Sequence, residues 1–358
     1  MTKGKYLSIF LQDIFILNTC GRLIVLHNPN RVTAKKIVAL AVSNIQGINR
    51  LKKKTVVEAS LFFVAFIWAL NFSVIKNSLA EIDPLSFNGL RFIFAAGLIW
   101  GVLLWRKQQF SIPKKDWLPL IGMGLLGNLV YQGLFIIGID FTLSANAAVM
   151  LGTIPVWVAL FSHFLKIEPM NVYKTLGVLF AFAGIVFIIG GGEKAFSLSS
   201  DTFIGDVIIV LAAMVWGAFT ILSKPFLDRY TPIQFSAVIS TIGCIVLFSI
   251  GLPSMFTVDW ASVSYPAYGG IVYSGLLAIG AAYVIWNYGL QTVGAVHTAT
   301  YQNLVPVLGL FFGVILLGEQ LTYAQYFGSA LVVGGIVLSR KKKKNGHLVR
   351  LLNLWSGE

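Results

Sequence analysis

The chain has 358 residues, 57% of them hydrophobic and 11% charged, with a formal net charge of +13. A soluble domain is about 25% charged, and a mean hydropathy of +0.80 leaves more apolar surface than a water-soluble core can hide, so a soluble globular protein is excluded. The positive charge does not point to nucleic acid, because Lys and Arg avoid the apolar stretches and gather at their ends.

In chain order, residues 1–54 form a basic N-terminal extension, with Arg22, Arg31, Lys35 and Lys36 among apolar patches. It reads as a poorly ordered or surface-lying extension, a start placed too early, or an amphipathic membrane-surface helix. The segment Tyr6 to Leu17 holds Gln12 and Asp13 and lacks a small-residue cleavage pattern, so it is a poor signal peptide. Ten spans of about 20 apolar residues follow, at 56–78, 84–105, 117–137, 143–163, 171–190, 204–223, 232–252, 267–289, 295–317 and 322–339. The predicted class is all-α, a polytopic membrane protein. Residues 55–192 and 203–339 supply five helices each, and 340–358 form a basic tail.

The two halves repeat. Pro155, Glu168, Gly177 and Gly184 recur at the same intervals as Pro306, Glu319, Gly328 and Gly335, a shift of 151 that also pairs Gly138 with Gly289 and Asn146 with His297. Upstream the shift is 148 and pairs Glu58 with Asp206, Trp68 with Trp216, Pro84 with Pro232 and Phe87 with Phe235. Lys and Arg mark one side: Arg50 and Lys52 to Lys54, then Arg106 and Lys107, Lys114 and Lys115, Lys166, Lys174, Lys224, Arg229 and the tail from Arg340. The opposite loops hold Glu81, Asp83, Asp140, Glu193, Asp201, Asp259 and Glu319. Both termini are therefore expected in the cytoplasm. Five is odd, so the halves are expected as inverted repeats around one midplane site.

Polar side chains are costly in mid-span and tend to face a cavity or a partner. Asn128, Tyr131 and Gln132 share one face of the third helix, and Tyr283 and Asn287 one face of the eighth. The ninth carries His297 and the run Tyr301, Gln302 and Asn303. Trp68 with Asn71, and Trp216 with Thr220, lie in the first helix of each half. The substrate-binding set expected from these patterns is Trp68, Asn71, Arg91, Asn128, Tyr131, Gln132, Asn146, Trp216, Tyr283, Asn287, His297, Tyr301 and Asn303. Helix–helix hydrogen bonding without a ligand is the alternative for the polar clusters, and filling of the helix interface the alternative for the Trp68 and Trp216 positions. Arg91 is the one cation well inside a span, and its repeat position holds Ile239. It is read either as a contact for an anion or carboxylate, or as an internal pair or interfacial snorkel.

Other motifs carry less. Gly122, Gly124 and Gly127 fit a dinucleotide fingerprint but lie inside a span, without the required βαβ context. The glycine pairs seven residues apart give the fifth and tenth helices small faces for close packing. No catalytic set, metal site or cofactor is expected; Cys20 and Cys244 lie in different regions. No carboxylate falls in mid-span, so proton coupling is not written in the sequence.

The segments "VVEASLFFVAFIWALNFSVIK", "PLSFNGLRFIFAAGLIW", "SANAAVMLGTIPVWVALFSHFLKIEP", "GDVIIVLAAMVWGAFTILSKPF" and "TATYQNLVPVLGLFFGVILLGEQLTYAQYFGSALVVGGIVL" resemble the drug/metabolite transporter superfamily, specifically its ten-helix EamA-type exporters with two EamA repeats. The resemblance covers about residues 55–340. The first half departs from the family pattern at Ile167-Glu168-Pro169-Met170. What the resemblance implies is secondary transport, usually export, of metabolites, amino acids or drugs. The expected partners are a small-molecule substrate and the lipid bilayer of the plasma or inner membrane, with no nucleic acid and with function as a monomer. The alternatives weighed are an intramembrane enzyme or lipid-processing protein such as a flippase, and a non-transporting receptor or scaffold.

Overall fold

Asp83-Pro84 and Thr231-Pro232 open the second helix of each half in the same way. The side chain of Asp83 accepts from the backbone N–H groups of Leu85 and Ser86, and Thr231 forms a capping box with Gln234. In both, Pro occupies the first helical turn, where its missing N–H costs nothing. In a computed structural model, residues 15–17, 23–25, 54–71, 73–75, 77–108, 110–142, 147, 150–190, 203–308, 321–339 and 341 are described.

The chain divides into Met1–Lys53 and Lys54–Glu358. In the first unit the described residues form two short strands, β1 (Phe15–Leu17) and β2 (Leu23–Val25), paired antiparallel with Phe15 opposite Val25. The residues of this pair are aromatic, β-branched or Leu, types that favour a pleated surface, and the all-α class holds for the second unit.

The second unit is helical. Six helices are long and apolar enough to cross a membrane. They are α1 (Lys54–Leu79), α2 (Pro84–Trp105), α3 (Lys114–Ile139), α6 (Phe203–Leu227), α7 (Pro232–Met255) and α8 (Tyr265–Thr292). Shorter apolar helices are α4 (Ile154–Leu165), α5 (Val172–Gly190) and α10 (Tyr323–Ser339). The ninth predicted span opens as helix α9 (Ala295–Thr300), a 3-10 turn Tyr301–Asn303 and helix at 304–308. The first residues of the fourth predicted span and the last of the ninth lie outside the described residues. Outward faces are apolar: Leu118 is 80% exposed and Leu104 68%. Such faces suit hydrocarbon, not water.

α5 and α10 make the most extensive helix pair, and its contacts cross over. A Cβ on Gly177 would lie 2.6 Å from the Gly335 carbonyl oxygen, and one on Gly335 2.5 Å from that of Gly177. Gly184 and Gly328 face each other in the same way at 2.5 Å. Gly177 is the repeat counterpart of Gly328, yet it touches Gly335. An early glycine of one helix thus meets a late glycine of its counterpart. That is the pairing of two copies related by a twofold axis and running antiparallel, as an inverted repeat requires.

α2 packs along α7 and against the middle of α8. Two helices are locally rewound into π-helix, α3 at Leu125–Val130 and α8 at Ser274–Ala281. The shift of 151 maps the first onto Leu276–Ala281, so the feature belongs to both repeats. A π-turn breaks the regular hydrogen-bond ladder and commonly marks a functional segment.

Candidate functional site

Arg91 lies one-third of the way along α2, on the face buried against α7 and α8, and is 1% exposed. Its guanidinium is fixed on three sides. Nε donates to Asn88 Oδ1 one turn earlier at 2.8 Å. Nη2 donates to Gln132 Oε1 of α3 at 2.6 Å, and Nη1 to Ser274 Oγ of α8 at 3.2 Å. The approach of α8 depends on Gly275, where a Cβ would lie 2.5 Å from the Arg91 carbonyl oxygen. The π-segment of α8 therefore begins at the residue that holds the arginine, and that of α3 ends two residues before Gln132.

Gln132 also donates through Nε2 to Tyr283 Oη at 3.0 Å. These residues are repeat counterparts. A contact between equivalent positions of two symmetry-related copies lies at or near their axis, so the bond marks the centre of the duplicated structure.

A cavity opens beside this bond, with about 800 Å³ of non-atom space including its mouth. Trp68, Asn71, Arg91, Tyr131, Gln132, Trp216 and Tyr283 of the expected set line it. Trp216 is the hub of its aromatic wall, with ring centroids 4.6 Å from Tyr131 and 5.4 Å from Tyr283. Trp68 donates from Nε1 to the carbonyl of Ala278 at 2.9 Å, inside the π-segment of α8. Three polar atoms on this wall have no hydrogen-bond partner among the described residues: Asn71 Oδ1, Gln302 Oε1 and Trp216 Nε1. Buried polar atoms are normally paired, so these three mark places where the packing around the cavity leaves a polar group unsatisfied.

The other members of the expected set lie elsewhere. Asn128 donates to the carbonyl of Ile239 at 2.7 Å and packs where a Cβ on Gly243 would stand, which ties α3 to α7. Asn287 donates to Ser236 Oγ at 2.8 Å and ties α8 to α7. His297 shares a hydrogen bond of 2.7 Å with Ser339 of α10 and stands 3.5 Å from Glu58 of α1. Tyr301 meets the His297 ring edge-on, and Asn303 is buried away from the cavity wall. Asn146 lies outside the described residues.

Asn88, Ser274 and Gln302 belong to the site but are outside the expected binding set, Gln302 having been noted only within the polar run of the ninth span. Gln302, Val305 and Pro306 all line the cavity. They stand at i, i+3 and i+4, so Pro306, already notable as a repeat marker, was the signal that Gln302 and not Tyr301 faces inward. Asn88 is one turn before Arg91, the usual place for a helical partner. Ser274 gave no signal, because its pairing depends on how α8 docks.

At the helix ends, charges serve as ties. Glu168 pairs with Lys174 and accepts from the backbone N–H of Ala295 at 2.6 Å, capping α9 beside Gly294, whose φ of +97° suits glycine. Asp116 accepts from Arg229 at 2.8 Å and from Tyr230. Glu81 accepts from the backbone N–H and hydroxyl of Ser264, which hold its carboxyl below the usual range. Among the described residues no group of three His, Cys, Asp or Glu side chains could hold a metal ion. What the cavity offers is binding: one fixed cation, aromatic faces and a few neutral polar atoms.

The EamA-like transporter family model matches residues 57–190 and again 203–340. The uncharacterized transporter YoaV of Bacillus subtilis (strain 168) is 31% identical over 278 residues, covering 77% of this chain and 94% of its own length. An uncharacterized transporter of Archaeoglobus fulgidus is 28% identical over 283 residues, covering 79% and 96%. A solved crystal structure shares the fold with a TM-score of 0.64, at 19% identity over 78% of this chain and 96% of that one. Two matched repeats and helices that carry their apolar faces outward lead to one conclusion: the chain belongs to the EamA-like transporter family and is a multi-pass membrane transporter, not an enzyme.

Proposed function

We propose that the protein exports small metabolites, amino acids or drug-like compounds, by alternating access across the cell membrane, with both termini in the cytoplasm and a single chain sufficient. The observation that carries this reading is the hydrogen bond between Gln132 and its repeat counterpart Tyr283 on the wall of an aromatic cavity. A site astride the axis of an inverted repeat can be exposed to either side by the same motion executed in opposite halves. The side-specific ties of Glu81 to Ser264 and of Glu168 to Ala295 link different helices at the two ends of the bundle. Breaking one set while keeping the other is what alternating access needs. The distribution of Lys and Arg supports the orientation.

Two measurements test this. Overexpression should deplete cells of one or a few metabolites and enrich them in the medium, and purified protein in liposomes should catalyse their counterflow. A cytoplasm-active reporter should work at Glu358 and after Lys115, and an exterior-active one in the 193–201 loop. Equal metabolite profiles with and without the protein, or the reverse reporter pattern, would refute the corresponding part.

A further inference from the structure

We infer that the transported species is an organic monoanion, a carboxylate with an aromatic or apolar body, and that Arg91 is its counter-ion. This rests on the transport reading above and narrows its substrate.

The argument begins with what Arg91 lacks. A guanidinium has five N–H donors. Three are used, on Asn88, Gln132 and Ser274, and all three acceptors are neutral. One donor on each terminal nitrogen has no acceptor among the described residues. Those two nitrogens are the pair that grips a carboxylate in two parallel hydrogen bonds. Among the described residues no Asp or Glu lies within ion-pair distance of Arg91, and none lines the cavity. A buried cation without a counter-ion is costly. If its role were only to staple α2 to α3 and α8, a neutral donor would do so without that cost, and the repeat counterpart Ile239 shows that the scaffold needs no charge there.

The rest of the wall defines the remainder of the ligand. Trp68, Tyr131, Trp216 and Tyr283 give apolar ring faces next to the cation, suited to a flat or alkyl body. A ligand ammonium would find no carboxylate among the described lining residues, only neutral oxygens such as the phenols of Tyr131 and Tyr283. With one positive charge and no negative one among the described residues of its wall, the cavity favours net −1 over a zwitterion, and both over a cation. An amino acid is then a weaker ligand than the same carboxylate without its amino group.

The test uses the full-length protein purified in detergent, with tryptophan fluorescence as readout, because Trp68 and Trp216 stand on the wall, and a thermal-shift assay beside it. The probes are 3-phenylpropionate, its neutral amide, phenylalanine and phenethylamine. The carboxylate should bind most tightly. The amide should bind about ten- to a hundredfold more weakly, the range for losing a hydrogen bond to a charged group. Arg91→Gln should lose that preference and Arg91→Lys keep part of it. If Arg91→Gln does not fold, the carboxylate-to-amide comparison in the unaltered protein still decides. Equal binding of acid and amide, tighter binding of phenylalanine or phenethylamine, or unchanged binding by Arg91→Gln would overturn the inference. So would no response to any of a panel of aryl and alkyl carboxylates at millimolar concentration. Counterflow separates the two readings. Movement of neutral solutes without a carboxylate preference keeps transport and removes the anion site. Arg91-dependent binding with no solute moved does the reverse.

Discussion

The seam between α5 and α10 and the wall of the cavity were built from the same duplicated unit, and they have fared differently. At the seam the repeat is intact: Gly177, Gly184, Gly328 and Gly335 sit in reciprocal contacts of backbone on backbone. Around the cavity the counterparts differ. Arg91 answers to Ile239, Gln132 to Tyr283, and Tyr131 to Ala282, although Trp68 still matches Trp216 and Pro306 matches Pro155. The reason is physical. Where main chains touch across a twofold axis, both copies need the same absence of a side chain, so neither can change alone. A ligand has no such symmetry, and a wall that grips one end of it by charge and the other by ring faces must be unequal.

The comparison can be broken first at the seam. Gly335→Leu forces a side chain into the Gly177 carbonyl and should cost at least about 1–3 kcal/mol, with a clear loss of membrane abundance and melting temperature. Gly184→Leu should match it, because the contacts are reciprocal. Unchanged melting in either would mean the seam is not close-packed.

Next, the cavity pair should be unequal. Gln132→Leu removes both an acceptor of buried Arg91 and a donor to Tyr283, and should cost about 1–3 kcal/mol in a melt. Tyr283→Phe removes one hydroxyl partner, and should cost about 0.5–1.5 kcal/mol. Equal losses at these repeat counterparts would show that the asymmetry seen here is incidental.

The smallest effect is at the bundle end. The Glu81 carboxyl is held below its usual range by Ser264. A depressed carboxylate contributes stability that is present above the unfolded pKa and is lost as pH falls through the folded one. Melting temperature should decline slightly more steeply with acid in the unaltered protein than in Glu81→Gln. A parallel decline would remove Glu81 from the account.

The amino-acid order determined the class, the duplication and the packing of α5 on α10, because apolar length, repeat spacing and glycine placement are properties of the chain alone. Helical spacing also brought Gln132 and Tyr283 to notice, and their pairing by the repeat shift is realised as a hydrogen bond. It could not say which polar residues face inward. Asn128 and Asn287 satisfy neighbouring helices, whereas Tyr131 and Gln302 turn to the cavity. A polar stripe is equally suited to a helix partner or a ligand, and only the docking of α7 against α3 and α8 chose. The same holds for the π-segments and for Ser274: a local rewinding and a contact 183 residues away depend on neighbours that no spacing records. Arg91 stands between these cases. Its charge inside a span was plain from the order of residues, but only the tertiary structure surrounded it with three neutral acceptors and left its charge without an acidic partner among the described residues.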